Sequence, residues 1–134
     1  MAEKVSSLLR MSVAHLADEV PDSYRLVLRT LGPLVVDLDV DGERFALRGG
    51  HRLEVSTGHV ENAGARVVTS RTGILDILDA AISLDHAVES GVLQVCGSLE
   101  DILRAHDTMR AYVHAAVRAP SQPALLSALR ADAS

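Results

Sequence analysis

The chain's 134 residues, 48% hydrophobic and 23% charged, are enough for one domain and have none of the composition of a disordered segment. A chain of this length buries about 68% of its unfolded surface, so it is expected to fold alone. Its formal charge of -5, with no basic cluster to offset it, argues against binding a nucleic-acid duplex.

Aromatic residues are limited to Tyr24, Phe45 and Tyr112, which gives single-stranded bases no stacking platform. The core must be built from Leu, Val, Ile and Ala, and a cavity in it would have walls suited to acyl, isoprenoid or steroid-like molecules. No apolar run approaches the roughly 18 residues that a bilayer span needs. The opening MAEKVSSLLR lacks a signal-peptide core and the closing ADAS is no peroxisomal address. A cytoplasmic protein without stable membrane insertion is expected. The lone Cys96 has no internal disulfide partner and reads as a small core residue.

In chain order, Val5, Leu8, Leu9, Val13, Leu16, Ala17 and Val20 fall on one stripe of a helix from about Glu3 to Glu19. Met11 and His15 lie off that stripe and read as surface. Pro21 ends this helix and opens a second, carrying Tyr24, Val27, Leu28 and Leu31 inward until Gly32-Pro33. Between Leu34 and Val60 the pattern changes to period two, and Asp41-Gly42 is a hairpin signal because both residues tolerate positive φ. A two-residue turn there pairs Val40 with Glu43, Leu38 with Phe45 and Val36 with Leu47, and sets Asp39 opposite Arg44 on the other side. For Leu53 and Val55 to join the Val36, Leu38, Phe45 and Leu47 face, the next connection is expected to be the three-residue loop Gly49-Gly50-His51.

Asp37-x-Asp39-x-Asp41-Gly42 imitates the opening of a calcium loop. The twelfth position, which needs a bidentate acid, is Arg48, and the apolar eighth is Arg44. The three aspartates therefore read as a solvated sheet face. His59 to Gly64 is a polar loop, and ARVVTS from Ala65 to Ser70 a fourth strand. Ile74, Leu75, Ile77, Leu78, Ala81 and Ile82 form a helical face from about Thr72, and Ser83 caps a further short helix through Val88. About twenty helical residues before the next strand predict a crossover connection, hence a mixed sheet.

Val92 to Cys96, between Gly91 and Gly97, reads as a strand buried on both faces. Ser98 is placed to cap a long helix with Asp101 three residues on. Leu99, Ile102, Leu103, Met109, Val113, Ala116 and Val117 mark its apolar stripe, and His106 is the one polar residue on it. After Pro120-Ser121-Gln122-Pro123, Ala124 to Arg130 forms a last helix with Leu125, Leu126 and Leu129 on one side.

The N-terminal helices, the VDLDVDGERFALRGG hairpin, TSRTGILDIL and GVLQVCGSLEDILRAHDTM together resemble the sterol carrier protein 2 (SCP2)-like family over about Leu31 to Val117. Ser98 departs from the acidic residue usual there in the family, and the preceding strand ends in Cys96. The resemblance implies an α+β fold: a five-stranded mixed sheet covered by helices, with an apolar tunnel between sheet and helices. It places residues 1–134 in a single domain, with N-terminal helices over 1–31, the sheet and helix core over 34–117, and a C-terminal lid helix over 121–131. By position it implies a ligand wall of Phe45, Leu47, Leu53, Val55, Leu103, His106 and Met109 and a lid of Leu125, Leu126 and Leu129. The ligands the resemblance implies are sterols, fatty acyl chains, acyl-CoA or other hydrophobic molecules; an isoprenoid or polyketide-like ligand is also expected of such a cavity, with no cofactor, and with a second copy or a partner enzyme left open.

Independent of the resemblance, the residues offer little catalytic chemistry. No pair among the six histidines has the spacing of a helical zinc site, so no metal is expected. His106 and His114 project about 80° apart on a helix. No nucleophile elbow, phosphate loop or dinucleotide fingerprint is present. His106 is the single candidate acid or base, and no carboxylate is identifiably paired with it in sequence. Binding or carriage of a hydrophobic small molecule is the expected function. An isomerase or cyclase using the same cavity, and a protein-docking module, are the alternatives.

Overall fold

The computed structural model describes residues 4–58, 60 and 62–133; Glu3 and His59 lie outside them. The hairpin forms as its sequence requires. Asp41 and Gly42 have φ of 52° and 89°, the pair of positive values of the turn that matches strand twist. The Gly42 N–H donates to Asp39 Oδ1 at 3.0 Å. The turn joins β1 (Val36–Val40) and β2 (Glu43–Arg48) with Val36 opposite Leu47, Leu38 opposite Phe45 and Val40 opposite Glu43. Asp41 Oδ2 then accepts the backbone N–H of Arg71 at 2.7 Å, tying the turn to the helix that begins there.

The next connection is longer than expected. β3 (Glu54–Thr57) pairs Val55 with Leu47 and Glu54 with Arg48, so residues 49–53 form the loop. The register is displaced by two residues, which leaves every side chain on its predicted face. Its cause is Tyr24, whose hydroxyl accepts the Leu53 N–H at 2.9 Å and holds that residue out of the ladder. Leu53 still turns inward and is buried.

β4 (Ala65–Thr69) lies parallel to β1, and β5 (Gln94–Gly97) lies antiparallel to β4, giving the order β3-β2-β1-β4-β5. The sheet is mixed, but not for the predicted reason. Its parallel pair is β1 with β4, whereas the helical connection from β4 to β5 joins antiparallel neighbours. β5 is an edge strand whose alternate residues Gln94 and Cys96 are exposed while Val95 between them is half-buried, so neither the strand buried on both faces nor the core cysteine is found. Gly97, at φ 147°, closes the β4–β5 pair where any Cβ would stand 2.6 Å from the Gly64 carbonyl oxygen.

On the outer face, Asp37 is buried rather than solvated. Its Oδ2 accepts from Arg44 Nη2 at 3.1 Å, while Asp39 Oδ2 accepts from Arg66 at 3.3 Å. Two aspartates of the false calcium loop, Asp37 and Asp39, are thus members of a sheet-face ion-pair ladder, and the third, Asp41, holds the head of the helix that begins at Arg71.

The helices start where hydroxyls can hold their first amides. Ser70, Ser83 and Ser98 accept from Gly73, His86 and Asp101 at the heads of α3 (Arg71–Leu78), α4 (Leu84–Glu89) and α5 (Leu99–Arg118). α1 (Val5–Glu19) has no side-chain cap of its own. Glu43 supplies it from β2, accepting the N–H groups of Val5 at 2.8 Å and Ser6 at 3.0 Å. Burial opposes ionisation of this carboxyl. The Ser6 hydroxyl, the two amides and the Lys4 charge outweigh it, so its pKa lies below the ordinary value of 4.5. Glu43→Gln is therefore expected to cost about 1 kcal/mol at neutral pH. Because the folded pKa is the lower one, this difference should hold above pH 4.5 and shrink as the pH falls through the depressed folded value. Urea unfolding of both proteins across that range checks it, and a gap that widens in acid would refute it.

α2 (Pro21–Leu31) packs closely against α5. The buried face of α5 is Ala105, Thr108, Ala115 and Ala116, with Met109 and Tyr112 half-buried, while Leu99, Leu103 and Val117 are exposed. That face lies roughly one residue, or about 100°, from the predicted stripe. The residues buried on this face are small, Ala and Thr rather than Leu: Ala105 and Thr108 turn to the sheet side, and Ala116 packs with Leu8, Leu78 and Leu129.

Candidate functional site

Between the inner sheet face and the helices lies an apolar cavity of about 140 Å³. Its floor is Val36 and Leu38 of β1, Phe45 and Leu47 of β2, and Val67 and Thr69 of β4. These are alternate residues, so strand period two aims them all at one side. Leu53 and Leu93 close the ends from loops, and α1 adds Val5, Leu8, Leu9 and Val13. From α3 come Ile74, Ile77 and Leu78, and from α5 Thr108, Met109, Tyr112 and Val113.

The lining carries three hydroxyls, and each is engaged within the protein. Thr69 Oγ1 donates to the Val92 carbonyl at 2.9 Å, and Thr108 Oγ1 to the Arg104 carbonyl at 2.7 Å. The Tyr112 hydroxyl is 2.6 Å from Ser12 Oγ. Burial pushes the Tyr112 pKa above 10.0, against the smaller opposing effect of that hydrogen bond. An occupant would therefore meet hydrocarbon on every side.

α6 (Gln122–Ala133) covers one end with Leu125 and Leu129. It is fastened to α3 by Arg71, which donates Nε to the Leu129 carbonyl at 3.1 Å and Nη2 to the Ala128 carbonyl at 2.8 Å. Gln122 Nε2 donates to the Leu78 carbonyl at 3.1 Å, and Arg130 pairs with Asp79 at 2.8 Å.

Of the residues named from sequence, Phe45, Leu47, Leu53, Met109, Leu125 and Leu129 line the cavity. Val55 and Leu126 do not; Val55 is buried in the main core, and Leu126 packs with Leu8, Leu78, Ala116 and Leu129 in a second cluster. Leu103 is 57% exposed, because α5 is turned away from the predicted stripe. His106 is outside the cavity for the same reason. Its Nε2 stands 3.0 Å from Asp85 Oδ1 of α4 and 3.0 Å from Arg110 Nη2, and Arg110 also reaches Asp85 at 3.1 Å. The nitrogen donates to Asp85 when protonated and accepts from Arg110 when not. Sequence reading had paired no carboxylate with His106, since Asp85 is twenty-one residues away and on another helix. It also missed Ile74, Ile77, Leu93 and Tyr112 as lining; the first two were visible as an apolar helix face, without any sign of what that face covered.

A mixed sheet whose inner face and overlying helices enclose a wholly apolar hollow defines an α+β domain with a hydrophobic interior pocket. The chain has the SCP2-like fold. Among solved structures it is similar to UbiJ-SCP2, a ubiquinone synthesis protein, with 16% sequence identity over 83% of this chain and 90% of that one and a TM-score of 0.62. Sterol carrier protein 2 from Yarrowia lipolytica, in its apo form, shares 11% identity over 81% of this chain and 88% of that one, with a TM-score of 0.53. Sterol carrier protein 2 like 2 from Aedes aegypti shares 18% over 74% and 97%, with a TM-score of 0.51. At such identities the likeness is one of fold. No family model matches the sequence, and no curated protein matches it. Among the described residues, no helix is long and apolar enough to cross a membrane.

Proposed function

We propose that the chain binds and carries a hydrophobic small molecule, a sterol, fatty acyl chain or isoprenoid or polyketide-like compound, with its hydrocarbon part in the cavity. The observation that carries this reading is the lining: apolar throughout, with its three hydroxyls bonded to protein. Such a hollow does not hold water well, since a buried water needs two to four polar partners. Each methylene transferred into it gains about 0.8 kcal/mol. Among the described lining residues Tyr112 is the one titratable side chain, and burial holds it neutral, which supports binding over acid–base chemistry. Neighbours of the same fold that are sterol carrier proteins, and one that is a ubiquinone synthesis protein, favour the same class of ligand.

Titration with naphthalene, a small neutral hydrocarbon with its own fluorescence, tests the reading. Saturable one-site binding is expected, because apolar cavities of about 150 Å³ accept benzene. Val67 is 1% exposed and faces the hollow, so Val67→Phe places a ring inside it. That variant should weaken naphthalene binding at least about tenfold, or ~1.4 kcal/mol. Equal binding by both proteins, or none by the wild type, would set the reading aside.

A further inference from the structure

The cavity alone is short of what a carrier needs. Pockets that hold small-molecule ligands measure about 300–1,000 Å³, and this one is about 140 Å³. Two of its wall residues, Leu8 and Leu125, have a second hollow on their other side. This one, about 180 Å³, lies in the seam between α1 and α6. The same partition carries the Ser12–Tyr112 hydrogen bond at 2.6 Å, with Tyr112 lining the cavity and Ser12 the seam.

The two hollows differ in chemistry. Where the cavity has no uncommitted polar group, the seam has Ser12, His15, Ser121 and Gln122 set among Ala116, Ala124 and Ala128. Among the described residues, no Lys or Arg lines it. Glu19 stands at its edge, accepting the Ser121 N–H at 3.0 Å and lying 3.5 Å from His15 Nδ1. A phosphate or carboxylate placed there would face a carboxylate and find no fixed cation; an alcohol, ester or ketone would find hydrogen-bonding partners without that repulsion.

We propose that the α1–α6 seam is a second ligand subsite, continuous with the cavity across Leu8 and Leu125, and that it takes the polar end of an uncharged single-chain amphiphile whose hydrocarbon end fills the cavity. The proposal rests on the cavity being the ligand site and adds the chemical class of the ligand. Together the hollows reach the lower end of the ligand-pocket range. The Arg71 and Arg130 attachments of α6 are to α3, away from the seam, and the hydrogen bond across it from the Ser121 N–H to Glu19 is at the end of α1, so the partition at Leu8 and Leu125 is held by apolar contact and by the Ser12–Tyr112 pair. A ligand hydroxyl inserted between Ser12 and Tyr112, whose oxygens are 2.6 Å apart, can donate to one and accept from the other, which keeps both groups bonded once the pair opens.

The experiment is displacement of naphthalene by decanol and by decanoate at neutral pH, with direct naphthalene titration in parallel. Ala128→Leu and Ala124→Leu narrow the seam from positions outside the cavity lining, and Ala124 is exposed, so the second variant is expected to fold. In each, decanol should weaken about tenfold while naphthalene stays within about twofold. Glu19→Gln, which keeps an oxygen for the Ser121 N–H, should improve decanoate about threefold relative to decanol. Decanol binding that follows naphthalene in both alanine variants, or decanoate unmoved by Glu19→Gln, would overturn the subsite or its charge selection respectively. Failure of naphthalene itself to bind the wild type would remove the cavity reading and the subsite with it.

Discussion

Arg71→Met is expected to lower the unfolding free energy by about 3 kcal/mol and to release α6 before the rest of the protein unfolds. Arg71 is the first residue of α3, 7% exposed, with its backbone N–H held by Asp41 and its guanidinium directed at two carbonyls of another helix. Those carbonyls, of Ala128 and Leu129, belong to the second half of α6, where the negative end of the helix dipole makes a cation favourable. Hydrogen bonds from a charged donor contribute about 1.5–3 kcal/mol each, and methionine would leave both acceptors without that donor. α6 would then keep its apolar contacts, the Gln122–Leu78 hydrogen bond and the half-exposed Arg130–Asp79 pair. Arg71→Lys should recover part of the loss, since an ammonium brings the charge without the planar fork that reaches both carbonyls. Urea unfolding gives the total cost, and amide exchange along 122–133 locates it. A loss under about 0.5 kcal/mol, or protection in α6 that falls only with global unfolding, would show that the clamp is incidental.

Much of the sheet was legible because period-two patterning and a turn with two positive-φ residues leave few alternatives. The β1–β2 register is that of the Asp41-Gly42 turn, and the inward set Val36, Leu38, Phe45 and Leu47 follows from it. The β2–β3 register was missed by two residues because a hydroxyl from α2, distant in sequence, takes the Leu53 N–H. The parallel β1–β4 pair was invisible for a similar reason. Nothing local to Ala65–Thr69 says which strand it will lie beside. The α5 face was misjudged because hydrophobicity ranks Leu99 and Leu103 above Ala105 and Thr108, whereas it is the smaller pair that the fold buries. Residues named from strands accordingly reached the cavity more often than those named from helices. Strand parity is a local property, and the rotation of a helix about its axis is set by what it packs against.

Phe45→Ala is expected to cost about 4 kcal/mol while improving the cavity as a receptor for hydrocarbon. Phe45 is the one phenylalanine in the chain, 1% exposed, opposite Leu38 on β1 and Thr57 on β3, with its ring against the hollow. Removing a buried ring loses its transfer free energy and adds a further penalty for space that the surroundings do not refill. Here the new space joins a hollow that already exists, and a floor made of hydrogen-bonded strands collapses poorly, so the penalty should lie in the upper half of the usual range. A domain of ordinary stability, about 5–15 kcal/mol, remains folded after such a loss only if it starts above the lower bound. Phe45→Leu, nearer in volume, provides the milder variant should it not. The same enlargement makes the prediction two-sided. Naphthalene at a hundred times its Kd stabilises a one-site protein by about 2.7 kcal/mol, and at equal concentration its effect should be larger in Phe45→Ala than in the wild type because it occupies the space left by the ring. Unfolding curves with and without naphthalene decide the matter. A small cost of truncation would mean that the ring is not holding the sheet against the helices. A large cost with no extra gain from naphthalene would place the bound hydrocarbon somewhere other than over β2.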